Sequence, residues 1–154
     1  MVKAQAAVLG VAILVVVSIV GMGLLYRWGN DTGVDDFRAN SPVLPVNEAE
    51  DSTPEEIADK LLRKWLNKFK TSEVSRATRI KDYEVNRLDV SPRDDKTIVS
   101  ATFSVMPTRW SFDNWLAGSG GTTSGSWIRG KFTRFTITKN EEGYQLEELG
   151  PGPL

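Results

Sequence analysis

Three sets of side chains in this sequence have types and spacings that could do chemistry. The first is Trp110, Phe112, Asp113, Asn114 and Trp115, set in a Gly/Ser/Thr-rich connection from Thr108 to Ser126. Rings spaced this way can stack on a small or glycan-like ligand, with Asp113 and Asn114 supplying polar contacts. The same rings could instead plug the concave side of a sheet as core. The second set is basic: Lys60, Arg63, Lys64 and Lys68, with Arg76, Arg79 and Lys81 following. Clustered positive charge concentrates polyanions, here lipid headgroups or wall polymers such as teichoic acid; the plain alternative is a solvated helix face. The third set is catalytic only by elimination. With no histidine and no cysteine, zinc chemistry and Ser-His-Asp or Cys-His mechanisms are excluded. Acid/base work would fall to Asp113, Asp82 or Tyr83, and a carboxylate doing it needs burial to raise its pKa. Most acids lie in predicted turns or on the polar side of strands, so the expectation is a non-enzymatic chain with no catalytic residue, metal or cofactor.

The elements that must position these groups start with an apolar run from Ala4 to Tyr26, uncharged and with Gln5 and Ser18 as its clearly polar side chains. As a helix it would reach about 35 Å, enough to cross a hydrocarbon core of about 30 Å with some tilt. It is longer than the h-region of a secretory signal, and no A-x-A-like cleavage site follows it. Gly21-Met22-Gly23 lies inside the run. An uncleaved single-pass signal anchor over 4–28 is therefore expected, with Tyr26 and Trp28 at the far interface. Lys3 and the terminal amine against Arg27 give a weak charge bias, and the short flank 1–3 is read as cytoplasmic with the remainder extracytoplasmic. Ala6 and Gly10 form a small-xxx-small pair able to support helix dimerisation, so a homo-oligomer is one option.

Residues 29–52 read as an acidic linker containing Pro42 and Pro45. Residues 53–149 are long enough for one core, and 150–154 form a tail. Thr53-Pro54-Glu55-Glu56 is a helix start with a cap, proline at the first position and a capping box. Ile57, Leu61, Trp65 and Phe69 recur every four residues, which predicts one apolar helix face ending near Lys70, with the basic residues opposite. A short helical turn is expected over Ser72 to Arg79. Then the period changes to two. Tyr83 and Val85, followed by Leu88 and Val90, switch parity and predict a bulge near Asn86-Arg87. Pro92 to Asp95 reads as a turn, and Val99, Ala101, Phe103 and Val105 share one strand face. Trp127, Phe135 and Ile137 fall on one parity of the next strand, Ile128 and Phe132 on the other. Asn140 to Gly143 is a hairpin turn leading to Tyr144–Leu149. One helix and about four antiparallel strands give an α+β domain with the helix packed on a curved sheet.

That order of elements, with Ser126-Trp127-Ile128-Arg129-Gly130-Lys131-Phe132, Phe135-Thr136-Ile137 and Gly143-Tyr144-Gln145-Leu146 as its final hairpin, resembles the cystatin-like cone of the nuclear transport factor 2-like superfamily. It is similar in particular to small membrane-anchored members from Gram-positive bacteria. That superfamily hosts enzymes, binding modules and scaffolds, so the fold does not supply a function; the expected function is a non-enzymatic accessory module of a bacterial cell envelope that binds a protein partner or an envelope component. Its alternative is an oligomeric scaffold subunit like those of type IV secretion or conjugation machines. The expected partners are the lipid bilayer, through Ala4–Tyr26, and a protein or envelope polymer, with no nucleic acid.

Overall fold

The helix that carries the basic face begins where the sequence places its cap. In the computed structural model, which describes residues 36–37, 40–93, 95–109, 111, 115 and 117–150, Thr53 Oγ1 accepts a hydrogen bond from the Glu56 N–H at 3.3 Å. The Glu56 carboxylate accepts one from the Thr53 N–H at 2.9 Å. With Pro54 opening the first turn, these bonds satisfy donors that a helix start leaves free. The helix, α2, runs Pro54–Lys68 and buries Ile57, Ala58, Leu61, Leu62, Trp65 and Leu66. Its last turn tightens as the Phe69 and Lys70 N–H groups bond Leu66 O at 3.1 Å and Asn67 O at 3.0 Å. Residues 72–79 form turns, with no helix. Ser75 Oγ accepts from the Ala77 N–H at 3.2 Å, and the Arg79 guanidinium donates to Ser72 O and Val74 O, so side chains replace a helical ladder.

Among the described residues six antiparallel strands form one curled sheet. They are β1 (Val43–Leu44), β2 (Ile80–Pro92), β3 (Lys96–Pro107), β4 (Ser119–Ser124), β5 (Trp127–Asn140) and β6 (Gly143–Gly150), in the order β1-β6-β5-β3-β2 with β4 paired to β5. β5 is the spine. Its first half pairs with β4 and its second half with β6, while β3 runs along its other side. Register shifts at Ile80/Asp82, Val85/Arg87, Phe103/Val105 and Arg134/Phe135 bend the strands, as bulges do. The Val85/Arg87 shift is where the parity change in the sequence points.

The sheet has two more strands than the four the sequence suggests. β1 and the short helix α1 (Val46–Ala49) lie in the stretch expected to be a linker, and Phe37, Leu44 and Ala49 enter the core. β4 lies in the stretch expected to be a loop; all six of its residues are exposed, so it carries no alternation to read. The β5 faces also differ from expectation. Gly130, at φ 71°, sits where the register moves from Phe103↔Lys131 to Val105↔Ile128. The extra residue puts Ile128 on the core side with Phe135 and Ile137, and leaves Trp127 facing away from it.

The core is rich in rings. Trp65, fully buried, has Phe69 and Phe135 at 5.1 Å and Phe103 and Trp115 at 6.0 Å, all at 70–76° to its plane. Such edge-to-face contacts contribute about 0.5–1.5 kcal/mol each beyond area burial. At the sheet edge, Gly143 (φ 141°) lets β6 approach β1: a Cβ there would lie 2.2 Å from Leu44 O. Among the described residues no helix is long and apolar enough to cross a membrane, and the candidate anchor 4–28 lies outside them.

Candidate functional site

Of the aromatic set singled out in the sequence, Trp115 is described, while Trp110, Phe112, Asp113 and Asn114 lie outside the described residues. Trp115 is 1% exposed. Its ring packs against Phe37, Phe69, Phe103 and Trp65, and its indole N–H donates to Thr78 O at 2.7 Å. Both halves of the side chain are satisfied inside the molecule, so this ring fills the concave side of the sheet and offers no face to a ligand. The connection on its N-terminal side is tied down. The Thr108 N–H bonds Arg79 O at 3.1 Å, and the Ser111 hydroxyl also bonds Arg79 O.

Beneath Trp115 lies a polar group that the sequence reading passed over. Lys131, Thr133 and Glu148 project from β5 and β6 on the same side as Phe135 and Leu146, and Lys131 and Thr133 are buried. The Lys131 ammonium donates to Trp115 O. Thr133 Oγ1 donates to Glu148 Oε1 at 2.9 Å, and the Gly118 N–H also bonds the Glu148 carboxylate. Burial pulls the lysine below its ordinary 10.5, with the charge of Glu148 opposing. Burial likewise pushes the glutamate above 4.5, against its hydrogen bonds and Lys131. Here both are committed to fixing backbone, holding Trp115 and Gly118 over the end of the sheet. The signal was present: Lys131 and Thr133 share the parity of Phe135 and Ile137, and Glu148 that of Leu146. Polar residues on a core parity mark a buried polar site.

The other acid/base candidates have ordinary surroundings. Asp82 is paired with Lys70 at 3.1 Å on the surface, and this bond holds its carboxyl below 3.8, ionised at neutral pH. Tyr83 packs half-buried against the core with Lys70 Nζ 5.6 Å from its ring centre.

The basic face of α2 points outward as expected, but each member has an internal partner. Lys60 donates to Glu48 O at 3.0 Å and Ser52 Oγ at 2.9 Å, and Lys64 pairs with Glu48 at 3.1 Å. Arg63 pairs with Asp59 at 2.7 Å, and Lys68 pairs with Glu73. Much of the field that would gather a polyanion is therefore offset locally. Arg79 turns toward its own turn carbonyls instead of joining this face. On the far side of the sheet, the Arg129 guanidinium lies 4.3 Å from the Trp127 ring centre and pairs with Glu84.

The described residues also form a concave surface. An open groove of about 670 Å³ runs between the first turns of α2 and the terminal strand β2, lined by Ser52, Glu55, Glu56, Asp59, Lys60 and Leu88. Among the described residues no cluster of three potential metal ligands occurs.

The class defined by these features is an α+β domain in which a capped amphipathic helix lies on a curled antiparallel sheet. The chain matches no protein-family model, no curated protein and no solved structure.

Proposed function

We propose that this protein is a membrane-tethered accessory module that works by binding a protein partner with its surface. The observation that carries this reading is the occupied interior: Trp65, Phe69, Phe103, Trp115 and Phe135 fill the space between helix and sheet that would otherwise offer an enclosed small-molecule pocket. Chemistry at the buried Lys131 would need that packing to open. In this reading the run 4–28 is an uncleaved anchor with its N-terminus cytoplasmic. The domain is a cystatin-like cone outside the membrane of a bacterial cell, and envelope polymers are secondary partners. The uncharged apolar sequence supports the anchor, and the helix lying on a bent sheet supports the cone.

Crosslinking in native membranes tests the function. A discrete heterologous adduct is expected; an ordered ladder of homo-oligomers would favour the scaffold alternative and overturn the reading. Protease added to intact cells tests the topology. The domain should be cut from outside, whereas resistance that disappears on lysis would place it in the cytoplasm.

A further inference from the structure

The sheet ends at β2, which pairs with β3 alone among the described residues. Edge strands are normally guarded by bulges, proline or charge. Along β2 the register shifts at Ile80/Asp82 and Val85/Arg87 guard the first part, and Pro92 closes the end. Between them Arg87 to Ser91 keeps a regular register with Thr102 to Ile98. This short stretch is therefore geometrically able to accept another strand.

The acidic groove adjoins the same stretch, because Leu88 is the strand residue in its lining. Its opposite wall carries three carboxylates, Glu55, Glu56 and Asp59, against Lys60, whose ammonium is bonded to Glu48 O and Ser52 Oγ, and against Arg63, which pairs with Asp59 from beside the groove. A strand added to β2 would send alternate side chains toward Leu88 and Val90, beneath the first turns of α2. Those side chains would meet carboxylates, so lysine or arginine at alternate positions fits.

We propose that the free stretch of β2 and the groove beside it receive an extended basic segment of the protein partner, added as a further antiparallel or parallel strand. This assignment rests on the reading of the domain as a partner-binding module and names the chemistry of what it binds.

The test uses the full chain in detergent micelles at low salt, with a short fluorescent peptide of alternating lysine and threonine as probe. Two further peptides carry N-methyl groups on every lysine amide or on every threonine amide. A strand turns the hydrogen-bonding groups of alternate residues to opposite edges. One methylated peptide should therefore lose binding while the other keeps it. The isosteric double variant E55Q/D59N should bind the parent peptide about tenfold more weakly, with a retained cooperative melting transition, lowered only by loss of the Asp59–Arg63 pair, as the control for folding. Equal binding by both methylated peptides, unchanged affinity of the double variant, or no binding of the parent peptide would overturn the assignment. If that happens while crosslinking still yields a heterologous adduct, the groove is eliminated and the module reading stands.

Discussion

The two ends of the interior are finished in opposite ways, and Trp115 belongs to both. Its ring closes an aromatic cluster in which shape and apolar area dominate, while its carbonyl takes the ammonium of Lys131 in a polar cluster where each charge is tethered to backbone. Burial stabilises the first and penalises the second. The contrast teaches that the connection over the sheet is held by packing on one flank and by costly buried charge on the other. Packing resists any change of pH; the charged flank does not.

The largest expected effect comes from breaking the joint itself. Trp115→Ala should destabilise the domain by about 3–5 kcal/mol, as for other buried aromatics, read as a shift in the urea midpoint. A near-native midpoint would mean that the ring contributes little to packing. Lys131→Met keeps the volume but leaves Trp115 O without its donor, at an expected cost of about 1–3 kcal/mol. Limited proteolysis should then cut faster between 108 and 118. Unchanged proteolysis would remove Lys131 from the tether.

The pH dependence sharpens the comparison further. Glu148 titrates higher folded than unfolded. As pH rises past 4.5 the unfolded chain releases this proton first, so stability falls until the folded pKa is passed. Glu148→Gln should flatten that decline in urea midpoints measured across mildly acid to neutral pH; an identical profile would exclude Glu148 as its source. Lys131 has the opposite sign, because its proton leaves the folded state before the unfolded state reaches 10.5, and stability should rise with pH in that alkaline window. The smallest effect belongs to the solvated helix face. Arg63→Ala removes a half-exposed i,i+4 pair and should cost only about 0.3–0.5 kcal/mol. A loss comparable to that of Lys131→Met would show that the outer face carries more than solvation.

How much of this was legible depended on whether local pattern and tertiary environment agreed. The capping box of α2, the bulge near Arg87 and the core face of β3 were readable because each is specified by adjacent residues. β1 was not, since its two residues follow a proline and owe their conformation to β6, made approachable by Gly143. β4 was hidden for a different reason: a strand exposed on both faces has no period. The parity of β5 failed at Gly130, where one bulged residue transfers Trp127 to the outside and Ile128 to the inside. The basic residues were legible as a face, but not their pairing with Glu48 and Glu73, because Glu48 arrives from the stretch read as linker and Glu73 from turns that take the place of the expected helical turn.

One consequence follows from where the chain enters the domain. Asp36 accepts hydrogen bonds from the Ser75 N–H at 2.9 Å and Thr78 Oγ1 at 2.6 Å, and the next residue, Phe37, sits among Trp65, Phe69 and Trp115. Mechanically this is a bolt where a slack leash was expected. Nine residues, 27–35, lie in the sequence between Tyr26, the end of the apolar run, and Asp36. A pull arriving through that segment would load the aromatic core directly, so tension and folding stability become a single quantity at this point.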